Sequence, residues 1–268
     1  MVISTLSFSF MNAIVKYLVH LPAYELVFFR SLVTLIFSIS FLIFHKIPML
    51  GNKRVLLLSR GIFGFISLTL FFMSLKYLTM GTAVSLRYIA PIFAAIFAVY
   101  MLKETIKLIQ WLFFAVAFGG VLVLTGLDKE INSYGLILIV ISAIFSGLVF
   151  VTITKIGKQD HPLVVVNYFM FIATIVGGIL MLFNWVTPRG IEWLLLFSLG
   201  IFGYFGQLYM TKAFQSASTN QVAPLKYTEV IFTVTIGLLW FNEIYTLWSL
   251  LGIFMIIGGL VLNALHKK

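Results

Sequence analysis

The chain has 268 residues, of which 62% are apolar or aromatic and 10% are charged. A soluble globular domain carries about 25% charged and 45–50% apolar residues, so this sequence cannot coat a water-facing surface and a soluble enzyme is excluded. A mean hydropathy of +1.11 and 28 Phe make lipid the solvent. The absence of Cys excludes a disulfide scaffold, and the hydrophobicity excludes disorder. The net charge of +10 reads as basic residues gathered at one membrane face rather than as a nucleic-acid surface.

A membrane-crossing helix needs about 20 mostly apolar residues. Ten such stretches follow one another, at 2–19, 22–44, 55–75, 80–102, 106–126, 134–155, 162–183, 191–212, 218–241 and 246–265. Short connectors hold the turn and charge signals: His45-Lys46-Ile47-Pro48, Asp128-Lys129-Glu130-Ile131-Asn132, Lys158-Gln159-Asp160-His161-Pro162 and Thr187-Pro188-Arg189-Gly190. The first stretch lacks a basic leader and a small-residue cleavage site, so it is expected to be a retained helix. With the N-terminus in the cytoplasm, 10 Lys and Arg lie in inside loops and 4 in outside loops, while Arg30, Arg60, Arg87 and Lys226 stay within spans. The positive-inside rule then puts both termini in the cytoplasm, on a multi-pass protein of the cell's inner membrane.

Sliding the sequence by 139 positions aligns its halves without a gap. Leu56-Leu57-Leu58-Ser59-Arg60-Gly61-Ile62-Phe63-Gly64 falls on Leu195-Leu196-Phe197-Ser198-Leu199-Gly200-Ile201-Phe202-Gly203. Leu86-Arg87-Tyr88 meets Leu225-Lys226-Tyr227, Glu104 meets Glu243, and Gly119-Gly120 meets Gly258-Gly259. From 56 to 123 there are 16 identities in 68 positions, about three times the roughly 8% that composition alone supplies. Each half has five spans, an odd number, so the second half enters the membrane from the opposite side. The expected fold is an all-α integral membrane protein of ten transmembrane helices in two inverted five-helix repeats, residues 1–130 and 131–268. Inverted repeats of this kind put a site near the bilayer midplane, between halves that rock for alternating access.

The chain resembles the EamA family of the drug/metabolite transporter superfamily along essentially its whole length. The resemblance rests on Leu26-Val27-Phe28-Phe29-Arg30-Ser31-Leu32, on Leu102-Lys103-Glu104 with Gln110 and Gly119-Gly120, and on Gly206-Gln207-Leu208. It continues through Ala217-Ser218, Val222-Ala223-Pro224, Tyr227-Thr228-Glu229-Val230 and Phe241-Asn242-Glu243, then Gly252 and Gly258-Gly259. It implies ten helices in two inverted halves, a central cavity walled mainly by spans 1, 3, 4, 6, 8 and 9, and transport of small metabolites. Two departures stand out. Lys103 and Asn242 precede the two glutamates where the family usually has Gly, and Phe8 to Asn12 replace a Trp-Gly pair.

Arg87 and Lys226 lie deep in spans 4 and 9, where an ionised group costs at least about 2.5–3.5 kcal/mol and usually faces a partner or a wet cavity. The repeat sets them on either side of one central point. Two readings stand for each: contact with substrate, or an intramembrane ion pair, for which Glu229 is a ready partner of Lys226 on the same helix face. Tyr88 and Tyr227 follow the two cations at matching positions. Pro91 frees the carbonyl of Arg87, and broken backbone of this kind lines transporter cavities. Helical spacing puts Thr5, Ser9, Asn12 and Lys16 on one stripe, and Tyr204, Gln207 and Thr211 on another. The expected substrate-binding set is therefore Arg87, Lys226, Tyr88, Tyr227, Asn12, Gln207 and Tyr204, with Glu229 coupling proton binding to transport. Gly61, Gly64, Gly200 and Gly203 are expected to let helices approach closely, and Glu104 and Glu243 to lock loops. Arg30 is assigned a structural or interfacial role, and Arg60 is expected to snorkel to the cytoplasmic surface.

The function expected is a secondary carrier for a small polar metabolite, anionic or zwitterionic, working by alternating access. A passive channel is the alternative, and an intramembrane enzyme a remote one, since no nucleophile or metal motif occurs in the spans. No cofactor, metal, nucleic acid or obligate protein partner is expected. The partners are a small-molecule metabolite, the lipid bilayer and protons.

Overall fold

The computed structural model describes residues 1–103, 107–127, 132–216, 222, 225–226 and 228–265. In chain order the helices are α1 (Val2–Tyr17), α2 (Ala23–Phe44), α3 (Arg54–Ser74), α4 (Met80–Arg87), α5 (Ala90–Leu102), α6 (Leu108–Leu127), α7 (Ser133–Ile156), α8 (Pro162–Met181), α9 (Glu192–Ser216), α10 (Thr228–Phe241) and α11 (Leu247–Leu265). A single 3₁₀ turn, Gly157–Gln159, follows α7. No strand occurs among the described residues. Only helices satisfy every backbone group within their own segment in hydrocarbon, which is why so apolar a chain folds this way. Six of the segments are long and apolar enough to cross a membrane, α4 and α5 counting as one span over Met80–Leu102. The chain is a multi-pass, ten-span membrane protein.

Span boundaries follow local chemistry. Thr79 opens α4 by accepting a bond from the Thr82 N–H, Asn132 opens α7 by accepting from Tyr134 and Gly135, and His161 opens α8 with Pro162 at its first position. Span 4, read as one apolar stretch over 80–102 with its backbone disturbed by Pro91, is broken at Tyr88–Ile89. Pro91 cannot bond the Arg87 carbonyl, and the chain crosses the gap through i→i−3 bonds from Tyr88 to Ser85 and from Ile89 to Leu86. In span 9, expected over 218–241, α10 covers Thr228–Phe241; ahead of it Val222 is helical, Leu225 and Lys226 lie in a 3₁₀ turn, and the rest of 217–227, including Pro224 and Tyr227, lies outside the described residues.

Two inverted repeats account for the packing. Exchanging the halves turns α1 into α7, α2 into α8, α3 into α9, α4–α5 into α10 and α6 into α11. Each major interface maps onto another under this exchange: α3–α7 onto α9–α1, α3–α8 onto α9–α2, and α5–α7 onto α10–α1. The α2–α8, α6–α11 and α4–α10 interfaces map onto themselves. The glycines expected to permit close approach sit at these seams. A Cβ on Gly61 would lie 3.1 Å from the Tyr168 carbonyl, and one on Gly200 would lie 3.2 Å from the Arg30 carbonyl, so α3 meets α8 as α9 meets α2. Gly64 abuts Phe169, and Gly203 abuts Arg30 and Thr34.

Lys103 and Asn242 share one conformational feature. Both adopt left-handed backbone, with φ of 55° and 50°. That conformation suits Gly and is tolerated by Asn, but the Cβ of Lys disfavours it.

Candidate functional site

A central cavity of about 40 Å³ lies between the two halves. Its wall includes Phe8 and Met11 of α1, Arg60 and Gly64 of α3, Arg87 of α4, Phe150 of α7, Gln207 and Met210 of α9, and Lys226 and Glu229 of span 9. These are the spans implied by the family resemblance. Spans 2 and 7 also reach in, through Arg30 and Phe169.

Four of the side chains lining this space are cationic and one is acidic. Arg30 and Arg60 are 0% and 1% exposed, which corrects the snorkelling expected of Arg60 and the interfacial alternative for Arg30. Arg60 does not snorkel, because its guanidinium turns inward along α3 to donate to the Gln207 Oε1 at 2.9 Å. Arg30 turns to donate to the Met11 sulfur at 3.1 Å. Aromatic faces seat every cation. Arg60 sits 4.4 Å and Arg30 5.7 Å from the Phe169 ring centre, Arg87 4.3 Å from Phe71, and Lys226 4.9 Å from Phe150. Such contacts return about 2 kcal/mol when desolvated, whereas burying each ion costs several kcal/mol after relaxation. The rings therefore offset only part of the penalty, and the side chains around the cavity carry an excess of positive charge.

Glu229 is held by two donors: Asn12 Nδ2 at 3.1 Å and the Tyr88 hydroxyl at 2.7 Å. The expected pairing with Lys226 does not form; Lys226 Nζ faces the Met210 sulfur at 3.9 Å and the Phe150 ring. The break at Tyr88–Ile89 explains this arrangement. It turns Tyr88 out of the helical register and brings its hydroxyl onto α10. The α1 stripe expected to line a cavity instead zips α1 to α10. Thr5 bonds Thr228 at 3.0 Å, and Ser9 bonds the Glu229 carbonyl and Thr233, each at 3.3 Å.

Of the expected substrate-binding set, Arg87, Lys226 and Gln207 line the cavity, and Tyr88 lines a smaller void that also touches Arg87, Lys226 and Glu229. Asn12 reaches the site through Glu229. Tyr204 lies elsewhere, its ring tilted at 42° against Phe37 with centroids 6.0 Å apart on the α2–α9 side. Tyr227 lies outside the described residues.

A second polar cluster closes the end of the bundle away from the chain termini. Glu243 accepts from the Met80 N–H at 2.8 Å, at the start of α4, and from the Tyr245 hydroxyl at 2.6 Å. The first of these bonds puts a carboxylate at a helix N-terminus, where the backbone dipole favours it. Lys16 Nζ lies 3.7 Å from Glu243 and donates to the Leu75 and Leu78 carbonyls at 3.1 and 2.8 Å. Burial raises the Tyr245 hydroxyl above the ordinary phenol range, and its bond to Glu243 raises it further, so it stays a neutral donor. The loop-locking expected of Glu243 is thus a link between the two halves. Its repeat mate Glu104 lies outside the described residues. Among those residues no group of His, Cys, Asp and Glu gathers into a metal site.

The profile of the EamA-like transporter family matches residues 1–126 and 133–265. The chain belongs to that family. It is 28% identical over 270 residues to a pseudopaline exporter of Pseudomonas aeruginosa, covering 100% of this chain and 95% of the relative. It is 26% identical to human solute carrier family 35 member G1, over 99% of this chain and 78% of that one. It is 25% identical to an S-adenosylmethionine uptake transporter of Rickettsia prowazekii, over 90% and 83%. A solved crystal structure superposes with a TM-score of 0.72 at 15% identity, covering 99% of both chains, and so shares the fold. The similar proteins are transporters, and so is this one.

Proposed function

We propose that this transporter is an alternating-access carrier for a small anionic or zwitterionic metabolite, bound between a half formed by residues 1–130 and a half formed by residues 131–268. One observation carries the reading: a central cavity with four cations and one carboxylate, closed off from the distal end by the Lys16–Glu243–Met80 cluster. A water takes about 10–15 Å³ of such space, so a cavity of about 40 Å³ accepts a few waters and no metabolite. Substrate entry then requires the halves to part, which is the geometry of a carrier rather than of a standing pore. Both termini face the cytoplasm of a cell whose inner membrane holds the chain, by the loop bias of 10 basic residues to 4.

Direction of flux follows the gradients, and the relatives include both an exporter and an uptake transporter. Glu229 is the coupling group. Its two donors come from α1 and from the broken span, so protonating the carboxylate loosens three elements at once. The test is uptake of a labelled metabolite panel into proteoliposomes. A carrier gives saturable flux that internal substrate accelerates, and Arg87→Gln abolishes it without loss of membrane insertion. Flux at channel rates without counter-transport would refute the reading.

A further inference from the structure

We infer that Arg30 and Arg60 form a second anion subsite around Phe169, so that the transported solute carries at least two anionic groups, carboxylates or phosphates. This rests on the carrier reading above. Four nitrogens carry the argument: Arg30 Nη1 and Nη2 and Arg60 Nε and Nη1 are buried without a hydrogen-bond partner. No carboxylate among the described residues pairs with either guanidinium. Both rest on the same Phe169 ring, and both line the central cavity. The unused Nη1–Nη2 edge of Arg30 matches the two oxygens of a carboxylate or the edge of a phosphate, and Arg60, whose free Nε and Nη1 lie on different edges, adds single donors and charge.

Folding alone does not require these cations. Shifted by 139, Arg30 falls on Phe169 and Arg60 on Leu199, so apolar side chains fill the equivalent places in the other half. Charge points the same way. Four cations against Glu229 leave three positive charges, and a single carboxylate would leave two of them uncompensated. Arg87 and Lys226 take one anionic group and the Arg30–Arg60 pair takes the other.

The experiment is thermal unfolding of the detergent-solubilised full chain titrated with butanoate, pentanedioate, propane-1,2,3-tricarboxylate and pyrophosphate. We expect the three polyanions to raise Tm at concentrations at least tenfold below those needed for butanoate, and their ranking separates carboxylate from phosphate preference. Arg30→Gln and Arg60→Gln each weaken polyanion binding at least tenfold, with the unliganded Tm unchanged or raised because an unpartnered cation is gone. Arg30→Lys and Arg60→Lys, which keep the charge and lose the planar guanidinium donors, stay folded and recover only part of the affinity. Equal stabilisation by butanoate, no stabilisation by any of the four, unchanged binding in the variants, or a sharp fall in unliganded Tm in both Gln variants would each overturn the subsite. Polyanion binding with no proteoliposome flux would strike the carrier reading and leave the subsite standing.

Discussion

At Lys103 a lysine occupies a backbone conformation that its own Cβ opposes, at φ 55°. A non-glycine residue in the left-handed region costs about 1 kcal/mol or more, partly recovered through the smaller entropy of the unfolded chain. Lys103→Gly should therefore raise Tm by a few degrees at unchanged transport, as read by thermal unfolding in detergent. Asn242→Gly, starting from a residue that tolerates this region, should change Tm much less. At the same scale the cavity cations show how far one helix can be read alone. Arg87 and Lys226 were legible because the repeat aligns them and their depth demands a partner or a cavity. Arg30 and Arg60 were not, because depth along a helix does not say which way a side chain turns. The faint signal was on α3 itself, where Arg60 lies one turn from Gly64, so the small residue faces the same seam and leaves room for the guanidinium.

Elements meet where side chains vanish. On α6 and α11 the paired glycines differ in kind although the sequence repeats them identically. A Cβ on Gly120 would lie 2.7 Å from the Gly252 carbonyl, and one on Gly259 would lie 2.7 Å from the Phe113 carbonyl. Gly258 has open space, and Gly119 meets only the Met255 methyl at 3.6 Å. Forcing the helix backbones apart costs about 1–3 kcal/mol, so Gly120→Ala and Gly259→Ala should lower Tm. Gly119→Ala and Gly258→Ala should be neutral or raise Tm slightly, since Ala is favoured over Gly in a helix by about 0.8–1 kcal/mol. Thermal unfolding of the four single variants checks both halves of the claim. Equal losses at all four positions would refute it. Pro91 made a break in span 4 foreseeable, but where the freed Tyr88 hydroxyl went depended on α10 being beside it.

Across the whole molecule, the Glu243 cluster joins the α10–α11 connection of one half to α1 and α4 of the other. Removing its charge should bias the carrier toward opening at that end. The chain has no Cys, so a single Cys replacing Val84, beside the void that touches Arg87 and Glu229, reports access cleanly. With Glu243→Gln, a membrane-impermeant maleimide added on the distal side should label that Cys several-fold faster than in the otherwise unaltered protein. An unchanged labelling rate would show that the cluster does not hold the distal end shut.

The sequence by itself determined the solvent, the ten spans and the inverted repeat, because hydropathy, span length and self-similarity are properties of a segment or of two aligned segments. It also singled out Arg87, Lys226 and Glu229, whose burial cost is severe wherever in the bundle they sit. Tertiary structure decided what those groups face. Glu229 pairs with Asn12 and Tyr88 instead of its near neighbour Lys226, Tyr204 turns to Phe37 instead of the cavity, and Arg30 and Arg60 turn inward onto Phe169. The physical reason is lateral. A helix presents every side chain somewhere around its axis, and only the packing of α1, α3, α8 and α9 against one another separates a lipid-facing direction from a cavity.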